Sequence, residues 1–497
     1  MSTETEIKLS LSARVASQLP RHPLLADRTP RRQLLINTYY DTPDHRLREN
    51  GIVVRYRQQG REWLLGVKTA AQLTGGLAQR KEWELRGKPG EFDFSHVDES
   101  AIRELLESLR DHLQPVFTTR FTRQAWMLEP RAGARIEVAL DRGWIEAGGR
   151  RQAIREVELE LCTGELGELF DLASTLQVTL PLHPEASSKS ERAYRLSADL
   201  PMTAGKAMPV PVEAGLSSMG TFRLIALACV NHLQRNEQGV RQGDAPEFVH
   251  QARVAIRRLR SAIRVWERQL PESFVARFDP LWQELARQLG DTRNWDVFLT
   301  GSVPALAVVF PNHVEIEQLL SYGRRRRSSS RQAARRALTS LAYSRLLVDF
   351  TAALVALPET GAGPVETFVP RWLDKCSKRV HQRATEAEAE GGGDAARHRL
   401  RLAFKQLRYA LEFFSPLFAT GPVLEGYHQS VSALQELLGS QNDLAVATQL
   451  TGDALAGARA APILGWLAEQ SEALLPELRT RLDGFRQQPP PWQELSQ

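Results

Sequence analysis

The sequence predicts an α+β chain of more than one domain, with an antiparallel β region and flanking helices over residues 1–200 and an all-helical bundle over residues 216–497. Three observations carry this. Residues 1–200 run in short period-two segments bounded by turn residues. From about Leu216 onward the apolar residues recur with a 3.6-residue period. A chain of 497 residues also exceeds what one hydrophobic core serves. Between the two regions, residues 201–215 hold prolines and small residues without periodicity, which is expected of a linker.

The strand segments share one device. In Glu4-Thr5-Glu6-Ile7-Lys8 the charged residues fall at i, i+2 and i+4 and so occupy one face of a strand, opposite Thr5, Ile7 and Leu9. For a single strand, a solvated outer face explains this. The pattern returns, however, with Arg55 and Arg57 around Tyr56, Lys68 beside Val67, and Glu82 and Glu84 around Trp83. Glu137 and Asp141 alternate with Ile136, Val138 and Leu140, and Glu156, Glu158 and Glu160 alternate with Val157, Leu159 and Leu161. Carboxylates and cations are thus segregated by strand, and a closed barrel with a polar lumen would offer both to one ligand. A helix is expected around Ala101 to Leu113.

Clustered carboxylates suit hard divalent cations, and magnesium commonly shares its shell between a few carboxylates and substrate phosphates. Arg and Lys neutralise the remaining phosphate oxygens, Arg in bidentate fashion. Such a site fits a polyphosphate ester or inorganic triphosphate, with metal charge and an oriented water supplying most of the catalysis.

Those same residues carry a resemblance over about residues 1–200. The Glu4-x-Glu6-x-Lys8 opening, Tyr39-Tyr40-Asp41-Thr42-Pro43, Arg55-x-Arg57, Lys68, the Gly75-Gly76 turn before Arg80-Lys-Glu82, Glu137-x-x-x-Asp141 and Glu156-x-Glu158-x-Glu160 together resemble the CYTH family. The resemblance implies an eight-stranded antiparallel tunnel. It implies Lys8, Arg55, Arg57, Lys68, Arg123 and Lys189 on phosphates, with Arg120 as the alternative to Arg123. Glu4, Glu6, Glu82, Glu137, Asp141, Glu158 and Glu160 would serve Mg2+ or Mn2+ and water. Every one of these residues lies within 1–200, so that stretch is expected to act by itself, provided its outer apolar face does not depend on the helical half.

The helical half repeats internally. His250-x-x-Arg253-x-x-x-Arg257-x-x-Arg260 returns as His398-x-x-Arg401-x-x-x-Lys405-x-x-Arg408, each followed by a leucine-glycine step, Leu289-Gly290 and Leu438-Gly439. At 100° per residue His250, Arg253, Arg257, Arg260, Arg264 and Arg268 form a stripe about 80° wide, opposite Ile256, Leu259, Ile263 and Trp266. A solvated helix usually interleaves acids for i,i+4 pairing, and Glu267 points off this stripe. The second copy sets His398, Arg401, Lys405 and Arg408 opposite Phe404, Leu407, Leu411 and Phe414. Like charges this close call for a compensating anion. Arg324 to Arg345 adds eight arginines without an acid.

With Leu289-Gly290-Asp-Thr-Arg293-Asn294-Trp-Asp296-Val297 and Leu438-Gly439-Ser-Gln-Asn442-Asp443, roughly residues 216–497 resemble the CHAD family. Its pattern has Arg-Asp where this chain reads Arg293-Asn294. The resemblance implies binding of inorganic polyphosphate, and Asp296 and Asp443 are expected to hold basic side chains by ion pairing.

Charge bears on the same division. Residues 1–200 hold 29 basic and 29 acidic residues, so the whole net charge of +5 lies in the remainder. Sparse aromatics along the stripes argue against single-stranded nucleic acid. No apolar run approaches the roughly 20 residues of a membrane span, no signal-peptide pattern opens the chain, and the cytoplasm is the expected location. Cys162, Cys229 and Cys376 are widely spaced and expected as buried thiols. The leading expectation is inorganic triphosphate hydrolysis with polyphosphate capture. A nucleotide cyclase or an organic triphosphatase, such as one for thiamine triphosphate, is the alternative among enzymes. A non-catalytic scaffold for polyphosphate or nucleic acid is the alternative outside them. The Gly391-Gly392-Gly393 break is expected as a flexible loop and Pro489-Pro-Pro491 as an extended or disordered tail.

Overall fold

Alternation of apolar and charged residues becomes strands β1 (Ser2–Ser10), β2 (Arg31–Asp41), β3 (Ile52–Gln59), β4 (Glu62–Thr69), β5 (Leu77–Arg86), β6 (Gln114–Leu128), β7 (Arg135–Ala147), β8 (Arg150–Thr163) and the two-residue β9 (His183–Pro184). The computed structural model describes residues 2–70, 74–198, 202–359, 363–389, 393–418, 421–455 and 457–496. Pro201, Gly391 and Gly392, on which parts of the expected linker and loop rest, lie outside them.

The helices are α1 (Ala13–Gln18), α2 (Pro23–Ala26), α3 (Arg46–Glu49), α4 (Ser100–Leu109), α5 (Leu166–Thr179), α6 (Lys189–Ala198), α7 (Ser218–Gln242), α8 (Pro246–Trp266), α9 (Glu272–Val297), α10 (Val303–Val309), α11 (Val314–Leu338), α12 (Leu341–Val355), α13 (Val365–Glu388), α14 (Asp394–Phe414), α15 (Pro422–Ala454), α16 (Ala461–Ala473) and α17 (Leu475–Arg486). The chain forms two compact units, one of residues 1–203 with 339–356 and one of 204–338 with 357–497.

In the first unit the strands run in the order β5-β4-β3-β2-β6-β7-β8-β1, and pairing of β1 with β5 closes an eight-stranded antiparallel barrel. β9 adds to β1. Period-two alternation puts the apolar residues outside, where Val54, Tyr56, Leu65, Val67 and Trp83 pack with Phe94 and with Leu106 and Leu109 of α4. Around β1, β7 and β8, Ile7, Leu9, Val138, Leu140, Val157 and Leu159 form a core with Leu169, Ala173 and Leu176 of α5. That core also takes in Val348 of α12. The helix comes from within the stretch expected as the helical domain, so the barrel's outer face is covered in part by residues beyond 200.

In the second unit α8 packs with α7 and α9, α14 packs with α13 and α15, and α8 also meets α14. The apolar sides expected for the repeat are there: Ile256, Leu259, Ile263, Trp266, Phe404, Leu407, Leu411 and Phe414 are all buried. Trp266 and Phe414 join the copies with ring centroids 5.5 Å apart. The leucine-glycine steps lie inside α9 and α15 rather than in loops. Arg253 reaches over Gly290, its Nη1 2.6 Å from where a Cβ would stand, and donates to the Ala286 carbonyl at 3.1 Å. Residues 202–213 have no regular structure but are tied down, with the Gly205 N–H donating to Asn236 Oδ1 at 3.0 Å and Val210 and Val212 buried.

Three smaller expectations are corrected. The C-terminal tail folds into a short 3-10 turn at Pro491–Ser496, with Trp492 buried and its Nε1 donating to Asp374 at 2.7 Å. Cys162 is exposed, while Cys229 and Cys376 are buried. Arg345 sits on α12 and donates to the Gln177 carbonyl at 2.8 Å, so it belongs to the first unit and not to a basic helical face. No single helix among the described residues is long and apolar enough to cross a membrane.

Candidate active site and candidate polyanion face

Barrel closure turns the charged sides of β1, β3, β4, β5, β7 and β8 inward. Lys8 lies across the β1–β8 pairing from Glu158, with Nζ 2.9 Å from that carboxylate and 3.3 Å from Glu6. Burial would lower the Lys8 pKa, but Glu158, Glu6 and Glu156 outweigh it and hold the ammonium above its ordinary range. Arg55 contacts Glu82 at 3.1 Å and Glu84 at 3.2 Å, Arg57 contacts Glu84 at 3.2 Å, and Lys68 contacts Glu4 at 2.9 Å and Glu82 at 2.8 Å. Room for Arg55 comes from Gly66 on the neighbouring strand, where a Cβ would meet Arg55 Nε at 3.3 Å.

The choice between Arg120 and Arg123 follows from strand parity. Arg120 faces outward and is exposed, whereas Arg123 points inward and pairs with Asp141 at 2.7 Å and with Glu158. Lys189 enters from α6, 2.8 Å from Asp141 and 2.9 Å from Glu158, and also contacts Glu156. α6 is seated by Tyr194, which stacks edge-on against Phe117 and donates its hydroxyl to Asp41 at 2.6 Å. Asp41 also accepts the Thr42, Leu47 and Arg48 N–H groups, so its motif holds backbone in place.

Two lumen residues escaped the sequence reading. Arg80 donates to Glu4 at 2.6 Å and to Glu6 at 3.0 Å, and Arg192 pairs with Glu156. A signal existed for each: Arg80 has the parity of Glu82, and Arg192 lies three residues beyond Lys189 on the same helix face.

Charge is balanced unevenly along the lumen. Arg57 and Lys68 are both pushed below their ordinary ranges, first by burial and then by neighbouring cations, Arg55 for Arg57 and Arg80 and Arg55 for Lys68. Arg55 Nε is buried without a hydrogen-bond partner. Their acidic partners, Glu84 for Arg57 and Glu4 and Glu82 for Lys68, do not fully offset this. On the other side Glu160 is pushed up to about 7 by burial and by Glu4, Glu6, Glu137 and Glu158. That carboxylate lacks positive charge.

The carboxylates of Asp141, Glu156 and Glu158 lie close enough together to hold a metal ion. Their charge is already met, because Lys189 touches all three and Lys8, Arg123 and Arg192 add further contacts. The Glu158 carboxyl is accordingly held well below its usual range despite burial. Among the described residues Glu160 is left without a cation, while its neighbours Glu4 and Glu6 are paired, Glu4 with Lys68 and Arg80 and Glu6 with Arg80 and Lys8. Glu82 faces cations on both sides.

In the second unit the two basic motifs converge. Burial and then Arg257, Arg293 and Arg401 hold Arg253 down to about 10. Lys405 is pushed down to about 6 by burial and then by Arg257, Arg401 and Arg253. His250 is pushed down to about 4 by burial and by Arg293. The Nε atoms of Arg257 and Arg401 are buried without hydrogen-bond partners. Such crowding favours the neutral forms and is eased by negative charge placed nearby.

Other members of the stripes are placed differently. Arg260 is held by Asp279 through two contacts of 2.8 and 3.1 Å, and Arg408 lies 3.5 Å from Glu412. Arg264 and His398 are exposed. Asp296 is fully buried and pairs with Arg327 at 2.6 Å and Arg331 at 3.0 Å. Asp443 acts electrostatically on Arg401 and Lys405.

Residues 2–194 match the CYTH domain family and residues 224–452 the CHAD domain family. An inorganic triphosphatase of Haemophilus influenzae is 33% identical over 207 residues, which span 39% of this chain and 55% of that protein. The chain therefore spans about half the length of that relative. An uncharacterized protein of Mycobacterium tuberculosis is 28% identical over 452 residues, 84% of this chain and 81% of the relative. The solved CHAD domain from the plant Ricinus communis is 29% identical and covers 57% of this chain and 96% of its own, with a TM-score of 0.47.

Proposed function

Since the chain carries a CYTH domain followed by a CHAD domain, we propose that its barrel hydrolyses inorganic triphosphate with the aid of magnesium or manganese, and that its helical unit binds inorganic polyphosphate. The observation that carries the first part is one barrel lumen that gathers Lys8, Arg55, Arg57, Lys68, Arg123 and Lys189 together with the carboxylates of Asp141, Glu156 and Glu158, which lie at metal-ligand spacing. The likeness to the Haemophilus inorganic triphosphatase supports the choice of substrate.

In this reading Arg55, Arg57 and Lys68 grip phosphate oxygens, and Lys8, Arg123 and Lys189 neutralise charge that grows on the bridging oxygen as it leaves. The lumen acids Glu4, Glu6, Glu137, Asp141, Glu158 and Glu160, of which Asp141 and Glu158 lie with Glu156 at metal-ligand spacing, would hold the divalent cation, which supplies charge neutralisation and a more acidic water. Water adds to the terminal phosphorus, the bridging P–O bond breaks, and pyrophosphate and phosphate leave. Protein groups bring position and charge rather than a covalent intermediate. For the helical unit, the crowding of His250, Arg253, Arg257, Arg401 and Lys405 supports a polyanion ligand.

The test is a panel on the purified full chain: triphosphate, pyrophosphate, ATP, thiamine triphosphate and long-chain polyphosphate, each with magnesium, manganese or chelator. Preferred release of phosphate from triphosphate, abolished by chelator, is expected. Cyclic AMP as the main product of ATP, or faster turnover of thiamine triphosphate, would replace this reading with a cyclase or an organic triphosphatase.

A further inference from the structure

The geometry assigns α12 a second role: this helix, encoded inside the CHAD-matched span, positions Lys8 by bracing the two segments that hold the Lys8 backbone, with Thr351 as its contact residue. The inference rests on the reading of the barrel as a triphosphate site.

Lys8 stands where β1 passes from pairing with β5 to pairing with β9, for the β1–β5 register ends at Ile7 opposite Leu77 and the β1–β9 register begins at Leu9 opposite Pro184. Its backbone is held from two sides. The Lys8 N–H donates to the Gly76 carbonyl at 2.8 Å, and the Lys8 carbonyl accepts the Glu185 N–H at 2.9 Å. Gly76 itself leaves no room for a side chain, since a Cβ there would lie 2.9 Å from the Lys8 carbonyl oxygen.

α12 backs both holding segments. Gly75 has φ of +60°, and a Cβ on it would collide with the Thr351 hydroxyl and lie 2.8 Å from the Thr351 Cβ and 3.2 Å from the Leu347 carbonyl oxygen. Thr351 is wholly buried, and its hydroxyl donates to the Leu347 carbonyl at 2.8 Å, which fixes its rotamer. Two turns earlier, Ser344 Oγ lies 2.8 Å from His183 Nδ1, and Tyr343 packs its ring on the same histidine with centroids 5.7 Å apart. His183 begins the segment that continues through Pro184 to Glu185.

The helix is firmly seated. Ser340 caps its N-terminus by accepting the Tyr343 N–H at 3.1 Å, Arg345 satisfies the Gln177 carbonyl near the end of α5 at 2.8 Å, and Val348 enters the barrel's outer core. A seated helix that touches both the Gly75-Gly76 turn and the β9 segment sets where the Lys8 backbone lies, and hence where its ammonium meets the lumen. Displacements near 1 Å at a charged clamp are enough to cost a large factor in rate.

The test uses the full chain. Thr351→Leu forces bulk against Gly75, Gly75→Ala does so from the other side, and Thr351→Ser keeps the hydroxyl. Triphosphate kcat and KM are measured with magnesium, together with amide hydrogen exchange over residues 2–11 and 183–188. Expected are an about tenfold fall in kcat/KM for Thr351→Leu and Gly75→Ala, values within about twofold of wild type for Thr351→Ser, and faster exchange confined to the Lys8 and Glu185 amides. Unchanged kinetics with unchanged exchange in the two bulky variants would overturn the role. Exchange that rises uniformly around the barrel would also overturn it, since α12 would then only fill the core. Absence of turnover in the wild type would count against the triphosphatase reading alone, and the local exchange would still decide the role of α12.

Discussion

Lys8 and Glu158 face each other across the β1–β8 pairing with 2.9 Å between ammonium and carboxylate, so the cation proposed to meet phosphate and one member of the acid array are built as a pair. Removing the ammonium leaves Glu158 with Lys189 and Arg123 still in contact, and the fold should survive. Lys8→Ala is expected to lower kcat/KM for triphosphate by about 100-fold, the scale of losing one charge-stabilising group. Raising magnesium should not restore it. Full recovery in high magnesium would reduce Lys8 to a structural ion pair.

Glu160 gives a pH dependence of opposite sign to that of an ordinary paired carboxylate. Its folded pKa, up at about 7, exceeds the usual value of 4.5, so the folded state keeps a proton that the unfolded chain releases. The Glu160 contribution to the stability of the metal-free protein is therefore expected to fall as pH rises from about 4.5 to about 7, while Lys405, whose amine is held down to about 6, contributes with the opposite sign above about pH 6. Glu4 and Glu158 are held low and titrate below this window. Melting curves in chelator at pH 5.5 and 8 check it by comparison: relative to the wild type, Glu160→Gln should gain melting temperature at pH 8 against pH 5.5, and magnesium should stabilise the wild type more at pH 8 than at pH 5.5. A difference between the two pH values that is the same in the wild type and in Glu160→Gln would count against the uncompensated carboxylate.

The fragment 1–203 contains every lumen residue but lacks α12. Val348 is buried in the barrel's outer core, and Ala352 and Val355 pack against it. Losing one fully buried valine with its neighbours costs at least about 2 kcal/mol. In a domain of this size that lowers the melting temperature by roughly 4–8 °C. Joining residues 339–356 to the fragment through a flexible linker should recover it. Equal melting temperatures for the two forms would show that α12 adds nothing to the fold of the barrel.

Strand parity made most of the lumen legible in the sequence, because a period of two assigns each side chain to a face before any partner is known. Lys8, Arg55, Lys68 and Glu158 reach the lumen for that reason alone. Partners across elements are another matter. The stripe on α8 shows Arg260 beside Arg257, yet Asp279 on α9 claims Arg260 and nothing near Arg257 claims its Nε. Periodicity likewise marks α12 as an apolar helix without saying which core it enters. Long-range pairings of this kind are fixed by tertiary packing and leave no local pattern.

The contrast between Arg260 and Arg257 can be measured. Arg260→Gln should leave long-chain polyphosphate affinity within about threefold of wild type, because Asp279 already neutralises that guanidinium. Arg253→Gln with Arg257→Gln should weaken binding by more than about tenfold and flatten its dependence on salt, by analogy with the counterion release seen with nucleic acids. Fluorescence titrations of the full chain over a range of salt, with duplex DNA and RNA as competitors, read both. Displacement by nucleic acid at equal phosphate concentration would reduce the site to a generic anion groove.

Lys405 turns the same face into a proton-linked one. Buried beside Arg257, Arg401 and Arg253, its amine is down at about 6, so near pH 7.5 it is mostly neutral in the free protein. Phosphate groups placed among these side chains offset the cationic field and favour the ammonium, raising its pKa. Binding near pH 7.5 must then take up protons, and affinity should fall as pH rises from about 6 to about 8. Calorimetry of polyphosphate binding in buffers of different ionisation enthalpy counts the protons directly, and Lys405→Met should remove the uptake while leaving Arg253 and Arg257 to bind. Proton release, or an uptake unchanged in Lys405→Met, would place the titrating group elsewhere.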